Sequence, residues 1–358
     1  MSLGTIVAGA LLILLTVVFM TLGLSTLTFQ PVPSDIARPL TVEEEKGRHI
    51  YMANGCVYCH TQYVRPQDWN AAGGGKASRV SEAGDYVFDK TALLGTERTG
   101  PDLSQEGGVH PDDWHVAHFR NPRFTSPNSI MPQISYLTDE EMRQLIAYMQ
   151  SLGGKAADVR YKAQKDEKAL LLASLKGGQG AKGVTDPNVP YSADHLTFLQ
   201  QQVPPTWKDL RSAMPPSQRS LVHGKQVYLQ NCIGCHGLRG DGNGPAAQFL
   251  EPRPFNFRSV AGQRAGSEGQ LYHFLLFGLP GSAMPAFGDF LTVNDIWDVI
   301  NFIRTIPNGG LEVPETQLLP QLMVTGGQSG PQPAPFDQTY EDSYKNPPRV
   351  TPVPPTRP

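Results

Sequence analysis

The chain has 358 residues, room for two ordinary domains. Its net charge of −3 offers no bulk electrostatic case for nucleic acid or an acidic membrane surface. Charged residues make up only 18%, while 36 glycines and 32 prolines argue for loop-rich domains and irregular linkers rather than long helices or wide sheets.

No charged residue occurs from Leu3 to Phe29. The run VAGALLILLTVVFMTLGL within it suits a hydrocarbon core of ~30 Å, which about 20 residues span. A cleaved secretory signal fits less well. No Lys or Arg precedes the run, the run exceeds a usual signal core, and no A-x-A site follows. Residues 1–30 are therefore expected to be a retained anchor.

A first compact domain is expected over residues 31–152, entered through the tether QPVPSDIARPLTV. Residues 153–218 read as a linker with a helix over Lys162–Leu175. A second compact domain is expected over 219–308. Residues 309–358 hold about a third of the prolines and read as an extended tail without a core of its own.

The two compact segments repeat one another. Gly47-Arg-His-Ile-Tyr51 precedes Cys56-Val-Tyr-Cys59-His60, and Gly224-Lys-Gln-Val-Tyr228 precedes Cys232-Ile-Gly-Cys235-His236. Each segment has a late Met-Pro, at Met131-Pro132 and Met284-Pro285. Each then has a threonine placed as an N-cap, Thr138 or Thr292, and a closing amphipathic helix. Met142, Leu145, Ile146 and Met149 share one face of the first such helix; Ile296, Val299, Ile300 and Ile303 share one face of the second.

All four cysteines lie in the two C-x-x-C-H pentapeptides, so none remains for a disulfide framework. C-x-x-C-H points to covalent haem: the thiols add to the vinyl groups and the adjacent histidine lies beneath the iron. A zinc ribbon would bring its cysteine pairs within about 20 residues, and a thioredoxin-like pair would need a neighbouring βαβ pattern. Two haem c groups are expected, attached at Cys56 and Cys59 and at Cys232 and Cys235, with His60 and His236 as proximal ligands. The c-type reading also places the haem domains outside the bacterial cytoplasmic membrane, facing the periplasm.

The sixth ligand separates electron transfer from catalysis, because a thioether raises the potential and closes the iron. Met131 and Met284 are the leading candidates. His110, His115 and His118 compete in the first domain and His273 in the second. Met52, Met142 and Met149 suit packing. A proximal imidazole needs a carbonyl for its other N–H. Pro101 borders the first site, and Pro252 or Pro254 is expected to serve the second. Arg98 and Arg120 are candidate partners for haem propionates. Tyr148 and Phe302 occupy matching places in the closing helices, against the porphyrin edge or in the core.

The blocks GRHIYMANGCVYCHTQYVRP, GTERTGPDLSQEGG, DDWHVAHFRNPR and SIMP resemble the mono-haem FixO-type cytochrome c subunit of cbb-type haem–copper oxidases. NCIGCHGLRGDGNGPAA, PGSAMPAFGDFLT and IWDVINFIRTI resemble the small class I cytochromes of the FixP-type subunit. The resemblance implies a mainly α-helical chain with two class I cytochrome c domains on one transmembrane helix. It implies the axial pairs His60/Met131 and His236/Met284. It also implies a partner among membrane-embedded haem–copper oxidase or reductase subunits, with a soluble carrier or a quinol-oxidising complex as donor. A FixO-type subunit has one haem and is shorter, so a nitric oxide reductase or a quinol-oxidising alternative complex remains a competing partner. A di-haem peroxidase is the competing enzyme, against which the two Met-Pro signals weigh.

Overall fold

The computed structural model describes residues 2–28, 32–65, 79–97, 99–184, 186, 188–212, 214–259 and 266–310. Every regular element among them is helical. The longer helices are α1 (Leu3–Thr28), α2 (Val42–Ala53), α3 (Asp112–Arg120), α4 (Asp139–Ser151), α5 (Gly154–Leu175), α6 (Ala193–Gln201), α7 (Gln218–Asn231), α8 (Glu268–Phe277) and α9 (Val293–Ile303). The chain divides into two compact units. One comprises Met1–Val109 and Leu137–Ala163; the other comprises His110–Tyr136 and Gln164–Pro358. Residues 311–358 of the expected Pro-rich tail, and Arg98, lie outside the described residues.

In the first unit α2 crosses α4 at Gly47. A Cβ there would lie 1.8 Å from the Gln144 carbonyl oxygen, so only glycine lets the backbones approach this closely. Tyr51, Leu145 and Met149 are fully buried around the crossing, and Met142 and Ile146 are buried with them. Each buried aliphatic side chain contributes roughly 1.5–3 kcal/mol. Both helices open with a capping box, Thr41 with Glu44 and Thr138 with Glu141. Arg38 ties the tether to the unit through Glu44 at 2.8 Å and Asp158 at 2.7 Å.

The second unit repeats this crossing with α7 and α9. A Cβ on Gly224 would lie 1.9 Å from the Asp298 carbonyl oxygen. Val227, Tyr228, Ile296, Val299, Ile300 and Ile303 form its buried centre. Thr292 and Asp295 form the capping box of α9. The expected amphipathic faces and N-caps of both closing helices are thus observed.

Residues 153–218 differ from a linker in the ordinary sense. The expected helix is longer, beginning at Gly154, and Leu171, Leu175, Tyr191, Val203 and Trp207 are all buried. Their apolar side chains are spread thinly among prolines and charges, so composition alone suggests a solvated segment. α1 buries no residue; it is long and apolar enough to cross a membrane.

Candidate haem sites

Each C-x-x-C-H forms a single helical turn directly after its tyrosine-bearing helix, Cys56–Cys59 after α2 and Ile233–His236 after α7. The tyrosine pins the end of the turn. The Tyr51 hydroxyl donates to the His60 carbonyl at 2.5 Å, and the Tyr228 hydroxyl donates to the Gly237 carbonyl at 2.7 Å. Both rings pack against the closing helix: Tyr51 on Tyr148 and Tyr228 on Phe302, each with ring centroids 5.3 Å apart. Tyr148 and Phe302 are buried core residues in these contacts. Burial pushes the Tyr148 phenol up, and its oxygen accepts from Gln62 at 2.7 Å.

The two histidines are oriented alike. His60 Nδ1 lies 2.8 Å from the Pro101 carbonyl oxygen, and His236 Nδ1 lies 3.0 Å from the Phe255 carbonyl oxygen. A carbonyl only accepts, so Nδ1 carries the proton in both rings and Nε2 carries the lone pair an iron takes. Burial lowers the His236 pKa, favouring the neutral ring that metal ligation requires. Gly100 lies against the His60 imidazole, where a Cβ would fall 2.1 Å from Cε1.

In the first site the carbonyl belongs to Pro101. In the second, the carbonyl comes from Phe255 rather than Pro252 or Pro254. Successive carbonyls of an irregular segment point different ways, and composition cannot select among neighbours. The Phe257 ring stacks on His236 with centroids 4.7 Å apart.

In three of the four thiols burial disfavours the thiolate. Burial pushes Cys56 up to about 11 and Cys232 and Cys235 each up to about 12. A dithiol oxidoreductase needs the opposite shift. Among the described residues no group of three or more His, Cys, Asp or Glu side chains is placed to hold a metal ion. Paired thiols beside a histidine held by a carbonyl fit covalent haem.

The methionines share a local device. The Met131 N–H donates to the Ser129 hydroxyl at 3.2 Å, and the Met284 N–H donates to the Ser282 hydroxyl at 3.0 Å. Ser-x-Met-Pro is therefore the repeated unit, a signal present in the sequence as SIMP and SAMP. Met284 packs against the core cluster that contains Cys232 and Tyr228. Met131 falls in the second unit and His60 in the first, so their pairing rests on sequence order.

The competing histidines have other surroundings. His110 and His118 stack on opposite sides in sequence of Trp114, at 3.8 Å and 4.6 Å, and His115 is buried with Nδ1 3.2 Å from the Pro111 carbonyl oxygen. His273 packs between Trp207 and Phe277 at 5.3 Å and 4.9 Å, and burial lowers its pKa. Arg120 donates to the Ser135 carbonyl at 2.8 Å.

Residues 4–194, more than half of the chain, match the family model described as cytochrome c oxidase, mono-heme subunit/FixO, and residues 221–307 match the cytochrome c family model. No curated protein matches the chain at a significant level. Among solved structures, a chain of the Kuenenia stuttgartiensis reducing HAO-like protein complex Kustc0457/Kustc0458 is 18% identical, with 76% of this chain and 99% of that one covered. Its TM-score is 0.25, and a likeness that low carries no structural argument.

Proposed function

The chain belongs to the FixO family of mono-haem cytochrome c oxidase subunits, and from that premise we propose that it is a membrane-anchored di-haem relay of a cbb-type haem–copper oxidase. The observation that carries the second haem is the duplicated proximal histidine, held through Nδ1 by a main-chain carbonyl at 2.8 Å in one repeat and 3.0 Å in the other.

Cys56, Cys59 and His60 would hold one haem and Cys232, Cys235, His236 and Met284 the other; by its place in the sequence Met131 would serve the first. Bound haem supplies a one-electron ferrous/ferric couple. The protein fixes ring orientation through Pro101 and Phe255, turns Nε2 of each imidazole away from its carbonyl partner, and packs Met284 against an apolar core cluster. α1 is the anchor, and both haem domains face the periplasm, where covalent haem attachment occurs. Electrons enter from a soluble carrier or a quinol-oxidising complex and leave to the membrane-embedded oxidase subunit. The chain itself breaks no substrate bond.

Purification from solubilised membranes tests this reading. Quantitative pyridine haemochrome analysis is expected to give two haems per chain, falling to one in a Cys232→Ser/Cys235→Ser variant. Haem–copper oxidase subunits are expected to co-purify. A native chain holding a single haem overturns the relay.

A further inference from the structure

The second C-x-x-C-H turn has a neighbour that its own repeat does not supply. Gly234, directly before Cys235, is buried, and a Cβ there would lie 2.0 Å from the Phe124 carbonyl oxygen. The same position of the first pentapeptide is Tyr58, which is 77% exposed. The turn itself therefore accepts a large side chain at this place. What restricts it to glycine in the second turn is the main chain of residues 110–136, far outside the 221–307 cytochrome c match.

Two further contacts extend this one. Trp114, Ala117 and Phe124 close a small apolar cluster with Cys235, Ala246 and Ala283. Asp113 joins three segments: its carboxylate accepts the Glu251 N–H at 2.8 Å and pairs with the Lys168 ammonium of α5 at 2.6 Å. The α5 main chain also abuts the methionine loop, for a Cβ on Gly281 would lie 2.4 Å from the Lys168 nitrogen. Gly281 has φ +75°, a conformation that favours glycine in any case. The cysteine turn and the loop bearing Met284 are thus braced by residues outside the 221–307 cytochrome c match.

We propose that residues 110–136 and the Lys168 turn of α5 form a fixed outer wall of the second haem site, with Asp113 as the positioning residue that locks it. This rests on the reading that Cys232–His236 carries haem. The wall excludes water from the Cys235 side, and a drier haem environment holds the reduction potential up. Part of the second haem pocket is thus built by residues of the same compact unit that lie outside the 221–307 cytochrome c match.

The test uses the full-length holoprotein and two readouts, the potential of the second haem by spectroelectrochemical titration and limited proteolysis within residues 121–136. Gly234→Ala and Asp113→Ala are expected to lower that potential and to speed cleavage at least about tenfold, the equivalent of losing about 1.4 kcal/mol of local protection. Asp113→Asn keeps an acceptor for the Glu251 N–H and is expected to fall between Asp113→Ala and the native chain. Should Gly234→Ala fail to mature, the two Asp113 variants give the same readouts. Native potential and native cleavage in variants that retain the Cys232–Cys235 haem overturn the wall alone. A native chain lacking that haem overturns both the wall and the reading beneath it.

Discussion

In the first repeat a Cβ on Gly47 would strike the Gln144 carbonyl at 1.8 Å; in the second a Cβ on Gly224 would strike the Asp298 carbonyl at 1.9 Å. The tyrosine four residues later packs on the closing helix at the same 5.3 Å centroid distance in both. The common frame fixes what a haem turn needs: a close crossing, a pinned carbonyl and an oriented imidazole. The differences lie around the frame. Position 58 is an exposed tyrosine where position 234 is a buried glycine. The orienting carbonyl comes from 41 residues beyond His60 but only 19 beyond His236. Shared atoms therefore report the cofactor, and divergent ones report the surroundings each repeat was fitted to.

The sharpest way to break the equivalence is at the crossing. Gly47→Ala and Gly224→Ala each force two helix backbones apart, which costs about 3 kcal/mol by overpacking. Each is expected to unfold its own unit first, read by hydrogen exchange at α4 or α9. Loss confined to one of the two positions would show that the crossings are not equivalent. A smaller effect is expected from removing one hydroxyl. Tyr51→Phe and Tyr228→Phe leave a buried carbonyl without its donor and cost about 1–3 kcal/mol each. Thermal unfolding of each variant checks this, and a difference beyond about 1 kcal/mol between them would place unequal weight on the two turns.

Much of this frame was legible in the sequence because it is periodic. The pentapeptides, the glycine and tyrosine ahead of them, the apolar faces of α4 and α9, and the caps at Thr138 and Thr292 recur at fixed spacing, and the structure places them as the spacing implies. What was not legible depends on contacts between distant residues. Nothing local tells Phe255 from Pro254 as the source of the His236 carbonyl. Nothing in the diluted composition of residues 153–218 shows that Leu171 and Trp207 are buried. The Ser-x-Met-Pro unit was visible, yet its serine reads as an ordinary loop residue until its hydroxyl is seen accepting the methionine N–H. Gly234 carried a signal too: set against Tyr58, it marks a backbone pressed close, but only the structure says whose.

The smallest expected effect separates the two crossings by charge. In the second, Asp298 is buried beneath α7, where its carboxylate accepts from Ser220 at 2.5 Å and from His223 Nδ1 at 2.8 Å. Asp295 faces His223 from the same helix at 3.4 Å, and Arg219 opposes its charge from α7. The hydrogen bond to Asp298 raises the His223 pKa above its ordinary 6.5. A raised imidazole binds its proton more tightly in the folded state. The added stability is therefore fully present below pH 6.5 and is lost as pH rises through the folded value. The His223 side chain is 37% exposed, so screening limits the gain to at most about 1 kcal/mol. In the first crossing Gln144, which has no ionisable group, stands where the second has Asp298. His223→Gln is thus expected to destabilise the second unit near pH 5.5 and to approach the native chain as pH rises past the folded value, measured by hydrogen exchange at α9. The exchange at α4 is expected to show no such pH-dependent difference. An equal difference at every pH would mean that His223 acts through packing alone, and the two crossings would then differ in shape but not in charge.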